Sequence, residues 1–436
     1  MTRIRVAAAG AAVVLTTAAL LLGGAFRGSS AAAPAPPAGS ADRLQAGFAL
    51  GDTAGLVVSL QHQLESRPED AKAWGLLGLA YQQRAREVAD PSYYSKSEGA
   101  LWRALRLAPN DLIATSGLAS LAASRHRFRE ALKLSRQAHS LSPTTALTYG
   151  LLGDAKLELG RYQQAFADFD RLAQLKPSLA AYSRVSYARE LLGRPDEAIA
   201  AMEQALDAAT GEAEPTAWTR VQLGKLYWST GRLSAAAAQY RAALAVFPGY
   251  VHALDALAQV EGARGRFGHA IALERRAVDQ TPLPQFVGYL GDLYTAAGRP
   301  ALARRQHALV DVIGRLFVAN GVKTDLETAL FRADHGIRLR ETLDLARLAR
   351  TERPSIDGDD VLAWTLERNG RCGEALRYSQ RALRLGTKDA LKLFHRGVIE
   401  SCLGHTADGN RFLRRALALN PHFSLIWAPV AQRALR

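Results

Sequence analysis

Side chains that could bind a metal ion cluster between residues 324 and 335 of this 436-residue sequence. Thr324, Glu327, Phe331, Asp334 and His335 follow one another at spacings of 3, 4, 3 and 1, which places them on one face of a helix. Carboxylate oxygens together with an imidazole nitrogen can bind a divalent cation. Glu327, Asp334 and His335 are therefore candidate metal ligands, and a divalent metal is the one cofactor that the sequence suggests.

A simpler interpretation of this acidic region is also open. The helix dipole favours acidic residues at the start of a helix and histidine at its end. His335 fits a helix end, and Asp357 and Asp360 in the next segment fit a helix start. On that interpretation these residues stabilise helices and bind no metal.

A second set of side chains has the character of a binding surface. Trp218 and Lys225 are seven residues apart, so a helix presents them on one stripe, and Trp228 lies beside that stripe. Aromatic rings next to a cation can anchor a peptide. The alternative is that the two indoles pack between helices as core.

The sequence lacks the short motifs of common catalytic sites. It contains no HExxH, GxSxG or C-x-x-C motif and no phosphate-binding glycine-rich loop. His126, His252, His307 and His395 have no sequence neighbours typical of a base–nucleophile pair. We therefore expect a protein that is not an enzyme.

The elements that carry these side chains recur with a period of 34 residues. Pro109, Pro143 and Pro177 are 34 residues apart, and so are Ala131 and Ala165. A constant period of this length is typical of a helical solenoid, in which helix pairs stack on their neighbours.

One period, from residue 146 to Pro177, shows why the residue types recur. Apolar residues and Gly153 at helical spacing predict a first helix, and Gly160 suits the left-handed turn that ends it. Proline cannot continue a helix, so Pro177 ends the second one. The buried face of that second helix is predicted to hold Tyr162, Ala165, Phe166, Phe169 and Leu172.

This pattern resembles the tetratricopeptide repeat (TPR) family. The conserved positions of that family correspond here to Trp74, Leu77, Gly78 and Tyr81; to Leu223, Gly224, Tyr227, Ala236, Tyr240, Ala243 and Pro248; and to Leu290, Gly291, Tyr294 and Ala303. The resemblance implies an all-α, right-handed superhelical solenoid of about ten repeats over residues 42–421. Residues 422–436 are expected to form a C-terminal capping helix.

The resemblance also implies where a partner would bind. In this family the first helices of the repeats line a concave groove that holds another protein or a peptide. The residues expected to face that groove are Tyr187, Glu190, Trp218, Lys225, Trp228, His252, Asp255 and Gln259. The function expected first is therefore that of a scaffold or adaptor, and the alternative is a carrier for a metal ion or small cationic ligand on the acidic late part of the groove.

The two-carboxylate clamp of chaperone-binding members is not expected, because Gly75 and Leu79 stand where Lys and Asn are needed.

Three segments depart from the regular period. The turn around Asp90–Tyr94 is seven residues longer than the period allows, residues 210–214 form a longer exit loop, and one second helix is predicted to extend to about Phe317. Such insertions often form binding edges, although a helix cap at Asp90 explains the first of them equally well.

The N-terminus has the pattern of an export signal. Arg3 and Arg5 precede an uncharged run that Arg27 closes, and small residues follow. Residues 1–33 are expected to be a signal peptide or an N-terminal membrane anchor, and residues 34–41 a Pro/Ala-rich linker. Both outcomes place the repeats outside the cytoplasm, with membrane contact only if the N-terminal segment is kept.

Charge and cysteine content complete the prediction. The formal net charge of +14 comes with no motif that reads DNA or RNA, so a nucleic acid partner is not expected. Cys372 and Cys402 are the two cysteines. Stacked repeats could bring them close, and an oxidising compartment permits a disulfide between them.

Overall fold

The computed structural model describes residues 52–209 and 213–436, and the predicted signal and linker segments lie outside them. Within this part of the chain there are 22 helices and no strands. They are α1 Thr53–Ser66, α2 Ala71–Val88, α3 Ser92–Leu107, α4 Leu112–Ser124, α5 Phe128–Leu141, α6 Ala146–Glu158, α7 Tyr162–Leu175, α8 Leu179–Leu191, α9 Pro195–Asp207, α10 Ala213–Ser229, α11 Leu233–Val246, α12 Val251–Ala263, α13 Phe267–Gln280, α14 Pro284–Ala296, α15 Pro300–Ala319, α16 Asp325–Asp334, α17 Leu339–Glu352, α18 Ile356–Arg368, α19 Cys372–Ala382, α20 Ala390–Cys402, α21 Thr406–Leu419 and α22 Trp427–Ala434.

The helices from α2 to α21 form ten consecutive pairs, and α22 packs on the last of them. This arrangement confirms the predicted all-α stack of helix pairs. None of the helices in the described ranges combines the length and the apolar character needed to cross a membrane.

Small residues let the two helices of a pair approach closely. In the repeat formed by α6 and α7, the Phe169 ring lies where a side chain at Gly153 would project. Ala165 and Phe169 are fully buried, Tyr162 and Leu172 are buried, and Phe166 is only partly buried. Gly160 has φ of +71°, as the predicted left-handed turn requires.

The solenoid differs from an ordinary one because distant repeats touch. The Tyr162 hydroxyl accepts a hydrogen bond of 2.7 Å from the Ile356 amide, 194 residues further along the chain. The Lys323 amide donates to the Arg125 carbonyl at 3.1 Å, and the Asn420 side chain donates to the Trp228 carbonyl at 2.9 Å.

These hydrogen bonds between distant repeats, here called cross-coil contacts, all join residues that are almost 200 positions apart in the chain. In each of them, the turn inside an early repeat meets the turn that precedes a repeat almost 200 residues later. The chain therefore coils until its later part lies against its earlier part. The expectation that each repeat packs only on its neighbours is wrong for this protein.

Cys372, the first residue of α19, and Cys402, the last residue of α20, form a disulfide. Their Cα atoms are 6.2 Å apart. This distance lies in the normal range for a disulfide, and the bond links two successive repeats.

Candidate functional site

A cavity of about 350 Å³ lies inside the coil and is here called the central cavity. Its lining comes mainly from the first helices of consecutive repeats, α6, α8, α10, α12 and α14. Of the residues expected to face a groove, the structure places Tyr187, Glu190, Trp218, Lys225, His252, Asp255 and Gln259 around this one cavity.

The two tryptophans have different positions. Trp218 is only 6% exposed and packs in the main hydrophobic core, while one part of it borders the central cavity. Both interpretations of its role therefore apply to the same ring. Trp228 is partly buried and borders a second cavity, described below.

Two cations line the central cavity: Arg184, which pairs with Asp154, and Lys225. Lys225 lies near Asp255 and Glu190, and among the described residues no hydrogen bond or ion pair reaches its ammonium group. Enclosure by protein lowers the pKa of Lys225, and the two nearby carboxyl groups oppose that shift. Lys225 and Tyr187 nevertheless keep exposed surface, because they border the cavity itself.

The two carboxyl groups beside Lys225 have raised pKa values. Burial, with a further contribution from Asp389, raises the pKa of Glu190 to about 7. Burial also raises the pKa of Asp255 to about 6, although Gln259 donates a 3.0 Å hydrogen bond to it. The charge of the central cavity therefore changes between mildly acidic and neutral pH.

His252 is held as a neutral aromatic ring. Burial, together with the charge of Lys225, lowers the pKa of His252 to about 3. The ring packs edge-on between Tyr250 and Phe286, with centroids 5.3 and 5.7 Å away. This aromatic packing is that of a residue that lines a cavity, and not that of a general base.

Charged groups from the later part of the coil lie close to residues that line the cavity. Lys392 contacts Asp357 at 2.9 Å and Asp389 at 2.6 Å, and this charged cluster lies near Glu190. Arg353 binds Glu158, which is itself a lining residue. The cross-coil contacts therefore bring charged groups of distant repeats next to lining residues of the cavity.

Three polar residues near the cavity were missed by the sequence analysis. Gln222 and Gln285 line it, and the side-chain nitrogen of Gln285 is buried without a hydrogen-bond partner. Glu274 is fully buried on α13, and burial raises the pKa of its carboxyl well above the usual value. In the sequence these three residues look like the polar residues on the exposed faces of other amphipathic helices, so no pattern identifies them.

The structure does not gather the three predicted metal ligands. Glu327 contacts Arg353 at 3.2 Å, whereas Asp334 accepts hydrogen bonds of 2.9 and 2.8 Å from the indoles of Trp364 and Trp427. Glu327 and Asp334 are seven residues apart, about 10 Å along a helix, which is too far for one ion. The prediction of that ligand set is wrong, and only His335 belongs to a group that could hold a metal.

His335 instead meets two residues of the preceding repeat. Its Nε2 lies 2.8 Å from Oδ1 of Asp292, and Nε2 of His307 lies 3.1 Å from the same oxygen. Among the described residues, these three side chains form the one group of His, Cys, Asp or Glu with ligand atoms within 4.8 Å of one another.

Asp292 also borders the second cavity, here called the C-terminal cavity, which measures about 470 Å³. Trp228 lines one side of this space, and residues from Pro421 to Gln432 line the other. The C-terminal helix predicted as a cap therefore also forms the wall of a cavity.

Comparison with known proteins supports the repeat assignment. Three family models described as tetratricopeptide repeat match residues 146–179, 177–249 and 221–283. A search of curated proteins finds no match.

Solved structures to which the chain is similar include three with low sequence identity and TM-scores below 0.5. The pilus biogenesis factor PilW is 18% identical, with a TM-score of 0.40, over 46% of this chain and 92% of that one. YrrB, described as a TPR protein with an unusual peptide-binding site, is 20% identical, with a TM-score of 0.28, over 42% of this chain and 94% of that one. Human IFIT1 is 13% identical, with a TM-score of 0.49, over 94% of this chain and 96% of that one.

Tetratricopeptide repeats are a protein-binding fold, and the matched residues lie in the middle of the helix stack. Residues 146–283 of this chain therefore match tetratricopeptide-repeat models, within a stack of helix pairs that continues on both sides.

Proposed function

We propose that this protein is an exported interaction scaffold that binds a segment of another protein in its central cavity. The observation that carries this proposal is the set of unsatisfied polar groups around Lys225. The Lys225 ammonium has no partner within the described residues, and neither has the buried side-chain nitrogen of Gln285. The Lys225 ammonium keeps exposed surface in the cavity and is free to bind a ligand, whereas the buried nitrogen of Gln285 is costly unless a ligand or water satisfies it.

A peptide segment matches the chemistry of the cavity. Its backbone supplies carbonyl acceptors for Lys225 and Gln285 and N–H donors for Glu190. Trp218 and Phe286 supply apolar surface for a side chain, and a volume of about 350 Å³ admits a short segment rather than a folded domain.

The same geometry supports binding over catalysis. The neutral ring of His252 has aromatic neighbours, and within the described residues it makes no hydrogen bond to a nucleophile. We therefore extend the proposal to a protein without enzymatic activity, acting outside the cytoplasm as its N-terminal pattern predicts.

Site-specific photocrosslinking tests the proposal. A photoreactive amino acid replaces Gln222, which faces the central cavity, or Arg241, an exposed residue of α11 that serves as the matched control. In cells of the native host, the position 222 probe is expected to capture a discrete protein partner that the position 241 probe does not.

Two variants then test the chemistry of the captured complex. Lys225→Glu reverses the charge of the cavity and is expected to abolish the crosslink, while Arg241→Glu leaves it intact. Equal capture from both positions, or capture that survives Lys225→Glu in a folded protein, would show that the partner does not use the cavity.

A further inference from the structure

We propose that Asp292, His307 and His335 form a binding site for a divalent transition metal ion such as Zn²⁺. The three side chains come from three successive helical segments, α14, α15 and the end of α16. This site is independent of the central cavity and of peptide binding.

The three ligand atoms already lie within 4.8 Å of one another. Both imidazole Nε2 atoms lie within 3.1 Å of the same Asp292 oxygen. Neighbouring ligand atoms around a tetrahedral zinc ion are about 3.3 Å apart, given bonds of about 2.0 Å. Each nitrogen thus lies slightly closer to the Asp292 oxygen than zinc ligands lie to one another, and small side-chain movements would admit the ion.

A second hydrogen bond fixes the orientation of His335. Its Nδ1 donates to the carbonyl oxygen of Phe331 at 2.7 Å, and its Nε2 donates to Oδ1 of Asp292 at 2.8 Å. A metal ion would take the place of the proton between Nε2 and Asp292, while Nδ1 stays bound to the carbonyl. Metal-binding histidines usually have their second nitrogen held in this way.

His307 occupies a position that other repeats fill with a hydrophobic side chain. In four repeats the residue 16 positions after a glycine of the first helix packs against that glycine: Phe169 on Gly153, Tyr240 on Gly224, Leu413 on Gly397 and His307 on Gly291. An imidazole at this core position is chemically unlike the others. It is also the substitution that brings a metal-binding nitrogen next to Asp292.

The site has an open side. Asp292 borders the C-terminal cavity, so a water molecule or a small ligand can complete the coordination. Asp334 borders the same cavity and adds negative charge close to His335. Two imidazoles and one carboxylate favour Zn²⁺, Co²⁺, Ni²⁺ or Cu²⁺ over Ca²⁺ and Mg²⁺, which prefer oxygen ligands.

Cobalt binding to the full chain tests this site. The protein is purified without a polyhistidine tag, treated with chelator, and titrated with Co²⁺ at pH 7.5 while its visible absorption is recorded. We expect one Co²⁺ per chain with the intense absorption of a tetrahedral complex, and its displacement by Zn²⁺.

The His307→Phe variant removes a ligand and introduces the residue that packs on the corresponding glycine in the α6–α7 repeat, Phe169, so it is expected to fold. Its affinity for Co²⁺ should fall at least 100-fold. The His405→Gln variant is the matched control, since it removes an exposed histidine that is likewise paired with a carboxylate, Glu400. Its affinity should not change.

Two results would overturn the proposal. One is a wild-type chain that gives no tetrahedral cobalt spectrum at a saturating metal concentration. The other is unchanged Co²⁺ affinity in a His307→Phe protein whose circular dichroism and thermal unfolding match the wild type.

Discussion

Arg353 binds Glu158 although the two residues are 195 positions apart in the chain. The guanidinium is buried and also contacts Glu327 at 3.2 Å. Burial alone would lower the pKa of Arg353, and the neighbouring carboxylates raise it instead. This ion pair joins the early and late parts of the coil beside the central cavity.

Removing Arg353 should destabilise the whole coil. Arg353→Met leaves Glu158 buried without a partner, and the expected loss in the free energy of unfolding is about 3–5 kcal/mol. Urea unfolding followed by circular dichroism measures it. The control is Arg232→Met, which breaks an exposed pair with Asp196 and should cost less than about 1 kcal/mol. Similar losses in the two variants would mean that the cross-coil pair has no special role.

The Cys372–Cys402 disulfide should stabilise the late repeats. The bond closes a loop of 30 residues, so replacing both cysteines with serine should lower the free energy of unfolding by about 3–4 kcal/mol. Thermal unfolding with and without reductant provides the measurement. The reductant should lower the midpoint temperature of unfolding of the wild type and leave that of the double variant unchanged. A wild-type midpoint that does not change with the reductant would argue against the bond.

Two glycines should respond to alanine in opposite ways. A methyl group at Gly153 would overlap Phe169, so Gly153→Ala should cost about 1–3 kcal/mol through overpacking. Gly99, in the exposed part of α3, has open space around it, and Gly99→Ala should stabilise by about 0.5–1 kcal/mol. Chemical denaturation of both variants tests the packing, and a neutral Gly153→Ala would contradict it.

Protonation of Glu190 should make the fold more stable in mild acid. Its pKa rises from 4.5 to about 7 in the folded protein, chiefly through burial and then Asp389, with Lys392 and Lys225 opposing the rise. The folded state therefore holds a proton that the unfolded chain has lost, and this contribution to stability is present below pH 4.5 and disappears as the pH rises through 7.

Glu190→Gln isolates this contribution. Unfolding free energies measured from pH 4.5 to 8 should fall less steeply with pH in the variant than in the wild type. Parallel curves for the two proteins would show that Glu190 titrates normally in the fold.

Much of the architecture could be predicted from sequence because its signals are local. The proline and glycine periods place the turns, and the long second helix predicted to end near Phe317 ends at Ala319. The insertion at Asp90 proves to be a helix start, where the Asp90 carboxylate accepts a 2.9 Å hydrogen bond from the Ser92 amide. Of the longer exit loop, residues 210–212 lie outside the described part of the chain.

The cross-coil contacts and the Asp292 group could not be predicted in the same way. Asp292, His307 and His335 lie on three different segments, and their meeting depends on how successive repeats rotate, which no local pattern records. The prediction that Glu327 and Asp334 join His335 failed because two residues on the same helical face can be too far apart along the helix to bind one ion. The Glu158–Arg353 pair depends on the curvature accumulated over several repeats.

The constant register of the cross-coil contacts also limits how this protein can change during evolution. Solenoids usually gain or lose whole repeats without harm, because each unit contacts only those beside it. Here the deletion of one unit between Tyr162 and Ile356 would displace every turn from its distant partner at once. The number of repeats in this stretch is thus as fixed as the number of strands in a closed barrel, and lineages carrying this fold should differ by loops and substitutions rather than by duplicated units.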